Sequence, residues 1–342
     1  MNKNFIKNIQ IKNFKCFDSF EAKGFSRVNL ITGKNNIGKT AFMEAIDFYI
    51  NSRSIIEATD SLKKLISRRQ RGRDIELDIM HKNSLNTKLI VNNDVIELKY
   101  YIELGEQQGE YERRYEDADA PFLEIFVNKN SRIFPVNYIL QGYSPMRRRV
   151  RGSNEVSNCN FISSGISSDD NISILYGKMI ESNKEDLLND SLKLFDKNII
   201  ALKQIMSKRG VILKLLLQGN YSVPLSSMGE GMSKYIEIIT AIWASQKGYL
   251  FIDEMDNGIH YTKLDELWKV VLETSKTLNV QVFATTHSKE CIESYARVVK
   301  RLEDKETTLI RLAKLKSGAI NAGVFDYGVL ESAISQEHEV RG

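Results

Sequence analysis

The sequence predicts an α/β fold: a mixed, largely parallel sheet with crossover helices, an antiparallel β lobe and a helical insertion. Three observations carry this. The last third alternates strand and helix. Residues 74 to 104 break into short apolar segments separated by polar turns. Near the start, an apolar strand runs into a glycine-containing loop and then a strongly apolar helix.

Phe5 to Ile11 alternates apolar and polar residues as a half-buried strand does, with Phe17 to Ala22 as its expected hairpin partner. Val28 to Ile31 is a short apolar strand ending in Thr32-Gly33. Thr40 to Ile50 has the apolar density of a helix buried on most sides. Ile75 to Met80, Thr87 to Val91 and Val95 to Leu104 read as antiparallel strands, with Asn92-Asn93-Asp94 as a hairpin turn. Glu106 to Asp119 is polar and expected as an exposed loop. Phe122 to Val127 and Ile133 to Leu140 return to strand character, and Gly142 to Asn160 is polar, basic and expected to be mobile. Ile172 to Met206 has helical spacing. Met232 to Gln246 reads as a helix, Tyr249 to Ile252 as a buried strand, Tyr261 to Leu278 as a helix and Val280 to Thr285 as a strand. The expected organisation is an N-terminal lobe over 1–170, a helical insertion over 171–220 and a C-terminal lobe over 221–342.

The 342 residues carry a formal net charge of +4, with 42% hydrophobic and 27% charged residues. That is near the globular average and excludes wholesale disorder or collagen-like fibres. Cys16, Cys159 and Cys291 lie too far apart for a metal or redox spacing, so no disulfide framework is expected. The start has no apolar signal core, and the longest apolar stretch, Ile236 to Ala244, contains Glu237 and is too short to span a bilayer. A soluble cytoplasmic protein with no membrane contact is the expectation.

Gly33-Lys34-Asn35-Asn36-Ile37-Gly38-Lys39-Thr40 fits G-x-x-x-x-G-K-[ST] between a strand and a helix. Such a loop turns successive N–H groups towards phosphate oxygens, and the helix after it adds its positive end. Lys39 reaches the β- and γ-phosphates as a point charge, and the Thr40 hydroxyl is an oxygen ligand for Mg²⁺. Leu250 to Glu254 is a buried strand ending in two carboxylates. Asp253 would hold Mg²⁺ directly or through water, and Glu254 would polarise the attacking water. In Pro224 to Gly231, Ser227, Gly229 and the helix start form a second anion-binding corner, useful if it closes over a nucleotide held by another copy; helix capping by Ser226 or Ser227 is compatible with that role. His287, in Thr285-Thr286-His287-Ser288, ends the strand expected after the acidic one and could contact the γ-phosphate.

Taken in order, GKNNIGKT, SSMGEG, YLFIDEMDNGIH and ATTHS resemble the motifs of ABC-type ATPases of the SMC, RecF and OLD group, over about residues 1 to 50 and 220 to 342. The resemblance implies a P-loop NTPase fold with an ABC-type head, ATP and Mg²⁺ as ligands, and ATP hydrolysis. It implies Lys39, Thr40, Asp253 and Glu254 in the roles above, with Asp253 as the Walker B acid. It also implies Lys15 beside the nucleotide, Ser227 as a signature serine acting across a dimer, Asp256 in the D-loop and His287 as the switch histidine. Glu331 to Arg341 resembles the family's usual end. The signature reads Ser-Met-Gly-Glu, closer to SMC-like than to transporter ATPases, and Gln141 is only a candidate for the Q-loop. With no long coiled-coil arm in the sequence, SMC-type tethering is not expected, and with about eighty residues after Glu254 a fused Toprim nuclease domain of the OLD kind is not expected either. The resemblance implies a homodimer or higher oligomer, nucleic-acid surveillance or phage defence, and a separately encoded nuclease or toxin effector. A RecF-like DNA-repair ATPase and a nucleotide-gated scaffold with little hydrolysis are the alternatives. Lys63, Lys64, Arg68, Arg69, Arg71 and Arg73, and separately Arg147, Arg148, Arg149 and Arg151, could track the phosphates of DNA or RNA; a solvated face or a protein-partner surface is equally consistent.

Overall fold

Strands whose residues are apolar at every position need cover on both faces, whereas alternating strands need it on one. Both kinds occur here and build different sheets. The computed structural model describes residues 5–68, 79–81, 84–102, 121–140, 158–165, 167–207 and 210–329. The expected loop at Glu106 to Asp119, Gln141, Arg69, Arg71, Arg73, the Arg147 to Arg151 cluster and Glu331 to Arg341 lie outside the described residues, as does most of Ile75 to Met80.

The chain opens with the hairpin β1 (Asn8–Phe14) and β2 (Phe17–Lys23), paired from Asn8 opposite Lys23 to Phe14 opposite Phe17. The strand expected at Phe5 to Ile11 therefore starts and ends later, because the turn falls at Lys15, which takes a positive φ of 49°. β3 (Val28–Thr32) is buried throughout and leads into α1 (Lys39–Ile50). α2 (Ile55–Ser67) follows, its first turn capped by the Ser54 hydroxyl. β4 (Asn86–Val91) and β5 (Asp94–Tyr101) form a hairpin whose turn residues Asn92 and Asn93 both have positive φ, as a two-residue primed turn requires. β6 (Phe122–Val127) pairs with β7 (Asn130–Pro135), and α3 (Val136–Leu140) follows at once. The strand expected over Ile133 to Leu140 stops at Pro135, which has no N–H to continue a ladder.

β8 (Cys159–Ile162) precedes α4 (Asp169–Glu181) and α5 (Glu185–Phe195). The helical spacing of Ile172 to Met206 holds only as far as Phe195. Ile199 begins β9 (Ile199–Ser207), which pairs with β10 (Gly210–Leu217), and β10 with β11 (Tyr221–Pro224). The β-branched Ile199, Ile200 and Ile205 favour the strand, and Ile199 and Leu202 enter the core from it. The region therefore ends in a three-stranded sheet rather than in helix.

α6 (Glu230–Ala244), β12 (Tyr249–Ile252), α7 (Leu264–Leu278), β13 (Gln281–Thr285), α8 (Lys289–Leu302), β14 (Thr307–Lys314) and β15 (Ile320–Asp326) complete the chain. The second large sheet has the order β15-β14-β3-β13-β12-β8, parallel except for β15. The first has the order β2-β1-β4-β5-β6-β7, antiparallel throughout.

Alternate residues of the parallel strands serve opposite cores. Phe251 and Phe283 stack 5.5 Å apart on the side of α1 and the antiparallel sheet. Leu250, Ile252, Val282 and Ala284 join α6, α7 and α8 on the other side. Among the described residues, no helix is long and apolar enough to cross a membrane.

Candidate active site

β3, β13 and β12 lie side by side, so their carboxyl ends bring three segments to one edge: the loop at 33–40, Thr285 to Ser288, and Asp253 to Asp256. This is the edge at which open α/β sheets bind ligands.

The loop depends on its second glycine. Gly38 has a φ of 105° where the chain enters α1, and a Cβ there would stand 2.5 Å from the Cys16 sulfur. Lys39 folds back over the loop. Its Nζ donates to the carbonyl oxygens of Gly33, at 2.8 Å, and Lys34, at 3.1 Å. Burial lowers the pKa of its ammonium, and the charges of Asp253, Glu254 and Asp256 act in the opposite direction.

The next residue faces the acidic strand. The Thr40 hydroxyl donates to the Asp253 carboxylate, 3.0 Å from its nearer oxygen. Asp253 also accepts from the Thr285 hydroxyl at 2.6 Å, and that hydroxyl accepts from the Glu254 N–H at 2.9 Å. Glu254 has a φ of 49°. The Thr286 hydroxyl donates to Asp256 at 2.6 Å, and Ser288 caps α8 by accepting from the Cys291 N–H. Lys15 ion-pairs with Glu44 at 2.7 Å, both side chains nearly buried.

These side chains surround a cleft of about 720 Å³ lined by Lys15, Cys16, Asn35, Asn36, Gly38, Lys39, Thr40, Ala41, Asp253 and Glu254. Lys15, Asn35, Asn36, Gly38, Lys39, Thr40, Asp253 and Glu254 are thus brought together on one cleft. Gly33 and Lys34 stand behind the lining as acceptors for Lys39, and Ile37 packs against the core. His287 is exposed, directly after the buried Thr285 and Thr286. Asp256 is bound to Thr286 and does not line the cleft.

Ser227 and Gly229 lie away from the lining. Both are exposed at the start of α6, where Gly229 is the N-cap and no side chain caps the helix. The corner therefore presents helix N–H groups outward and is not closed by Ser226 or Ser227. Gly231 behind it has no room for a Cβ, which would collide with the Gly258 carbonyl, so α6 sits directly on the turn after Asp256.

The donor set suits a hard divalent cation. Thr40 and Asp253 oxygens 3.0 Å apart match adjacent corners of an octahedron with bonds of about 2.1 Å. Mg²⁺ commonly takes one or two protein oxygens and completes its shell with phosphate oxygens and water, which the Thr40 and Asp253 pair would allow.

Sequence reasoning did not single out Glu44, Lys234 or the direct contact of Thr285 with Asp253. Lys234 is a basic residue on a helix that is mostly buried, which is the signal that could have drawn attention to it. Arg68, counted in a basic patch, is bound to Asp47 at 2.7 Å and lies over the Phe161 ring, which fixes its guanidinium against the body of the protein.

The chain is similar to several known proteins. A family described as "AAA domain, putative AbiEii toxin, Type IV TA system" matches residues 60–293, a span that holds the acidic strand and ATTHS and begins after the loop at 33–40. An ATP/GTP phosphatase of Helicobacter pylori is 28% identical over 332 residues, covering 86% of this chain and 88% of its own. The SMC head bound to the C-terminal winged-helix domain of ScpA superposes with a TM-score of 0.52 at 14% identity, covering 97% of this chain and 99% of its own. A Pyrococcus furiosus SMC head with an extended coiled coil, bound to the C-terminal domain of ScpA, gives a TM-score of 0.51 at 12% identity, covering 97% of this chain and 99% of its own. With the family match spanning more than half of its length, the chain belongs to this AAA-domain family, and its fold is that of an SMC-type ATPase head.

Proposed function

We propose that the protein is a Mg²⁺-dependent ATPase that hydrolyses ATP to ADP and phosphate. The observation that carries this reading is the convergence of Lys39, Thr40, Asp253 and Glu254 on one cleft. The Helicobacter relative, named for ATP/GTP phosphatase activity, supports it.

Backbone N–H groups of 33–40 and the start of α1 hold the phosphates. Lys39 exchanges its two carbonyl acceptors for phosphate oxygens, which carry full charge and bind it more strongly. Thr40 and Asp253 would hold Mg²⁺, which when bound would supply charge neutralisation for phosphoryl transfer. Glu254 orients and polarises the attacking water, and His287 lies at the same sheet edge to steady it. Lys15, anchored by Glu44, flanks the nucleotide.

The same reading makes the working form a dimer. The uncapped start of α6, with Ser227 and Gly229, suits the γ-phosphate of ATP held by a second copy. The SMC heads to which the chain is similar bind a separate protein, and the family description includes a putative toxin. Both support a role in phage defence or nucleic-acid surveillance with a separate effector. Phosphate release from ATP by the wild type, Lys39→Ala and Glu254→Gln tests the hydrolase reading: turnover by the wild type alone is expected, and equal rates in all would contradict it.

A further inference from the structure

Lys234 lies in α6, the helix that begins beside Ser227, and is only 3% exposed. A lysine so deeply buried needs partners. Its Nζ donates to the Ser163 carbonyl at 2.8 Å and to the Asp253 carbonyl at 3.4 Å. Ser163 directly follows β8, so one ammonium ties two neighbouring strand ends to the helix. Burial lowers its pKa, and Glu237, Asp253, Glu254 and Asp256 oppose that shift. Of these acids, Glu237 is occupied by the Ser167 hydroxyl at 2.6 Å.

The peptide joining Asp253 to Glu254 is held at both ends. Its carbonyl faces Lys234, and its N–H donates to the Thr285 hydroxyl at 2.9 Å. The next N–H, of Met255, donates to the Thr285 carbonyl at 2.9 Å. Glu254 is held at a φ of 49°, a conformation that non-glycine residues keep only where their surroundings impose it. The plane of this one peptide therefore sets where the Glu254 carboxylate points.

We propose that Lys234 is a positioning residue that clamps the Asp253–Glu254 peptide opposite Thr285, and so links the aim of the Glu254 carboxylate to the helix that begins beside Ser227. The inference rests on the ATPase reading above. An anion engaging the start of α6 from a second copy moves the Lys234 ammonium with the helix, and with it the water-polarising group of its own chain. Each site would thus sense whether the other corner is engaged. Removing the ammonium leaves the loop at 33–40, Lys39 and Thr40 untouched, so turnover suffers and nucleotide affinity does not.

The test uses the full chain with Mg²⁺ and ATP, reading affinity with a fluorescent ATP analogue and kcat by phosphate release. Lys234→Met should keep the analogue's affinity within about threefold while kcat falls roughly 10- to 100-fold. Lys234→Arg, which keeps a cationic donor, should recover much of the loss. Combined with Ser227→Ala, Lys234→Met should cost less than the product of the separate losses, because both act through α6. Unchanged kcat in Lys234→Met overturns the clamp, as does a parallel loss of affinity and kcat; strictly multiplicative losses overturn the link to Ser227. Should Lys234→Met fail to fold, Lys234→Gln keeps a neutral donor at the same position: lower kcat at retained affinity supports the clamp, and unchanged kcat overturns it. Wild-type turnover no higher than that of Glu254→Gln would sink the ATPase reading itself, a result distinct from wild-type turnover that Lys234→Met leaves intact.

Discussion

The parallel and the antiparallel sheet bury different things. β3 and β13 are buried at every position and β12 at all but Tyr249, and at or beyond their carboxyl ends lie Lys39, Asp253, Thr285 and Thr286, polar groups removed from water together. β1 and β4 alternate, burying apolar side chains and sending polar ones outward. Thr87, buried in the antiparallel sheet, satisfies its hydroxyl on the Asn13 carbonyl of the neighbouring strand β1, a backbone acceptor rather than a charged side chain. At the site edge the buried groups satisfy one another across strands: Thr40 with Asp253, Thr285 with Asp253, Thr286 with Asp256. The difference teaches where stability and chemistry reside. Apolar burial serves the antiparallel sheet and both faces of the parallel one, and the parallel sheet adds at its carboxyl edge a half-dry cleft where charge acts strongly.

That separation can be broken by mutation, and the expected effects run from large to small. Lys39→Ala should abolish nucleotide binding while leaving the thermal midpoint at or above that of the wild type, since a desolvated ammonium is removed. A Lys39→Ala protein that melts early would place the loop among the elements holding the fold. Glu254→Gln should bind ATP normally and slow hydrolysis roughly 10²- to 10⁴-fold. Under ATP it should also accumulate as a dimer, read as a doubled mass in light scattering. Leu98→Ala, in the core under β5, should cost about 2–5 kcal/mol of stability in denaturant melts and leave ATP affinity unchanged. A stable Leu98→Ala protein with impaired nucleotide binding would couple the two regions. Ser288→Ala removes the cap of α8 and should cost about 1 kcal/mol, with a secondary loss of turnover because Ser288 adjoins His287.

The two regions also differed in how far the sequence revealed them. The loop at 33–40, the acidic strand and the Thr285 to Ser288 turn were legible because each is contiguous and its chemistry demands particular residues at particular spacings. The hairpin at Asn92-Asn93 was legible for a similar local reason, since both residues must take positive φ. Past Phe195 the reading failed: Ile199 to Met206 keeps apolar residues at spacings that also suit a helix, and only pairing with β10 decides for strand. That β13 lies between β3 and β12 is a matter of chain crossover, which no local pattern encodes. Lys234 escaped for the same reason, since its partner Ser163 is 71 residues away in sequence.

The most direct test of the account is a crystal structure with a non-hydrolysable ATP analogue and Mg²⁺. The account predicts the triphosphate along 33–40, with Lys39 released from the Gly33 and Lys34 carbonyls and the cation between Thr40 and Asp253. Analogue bound elsewhere, with Lys39 still folded onto those carbonyls, would contradict it.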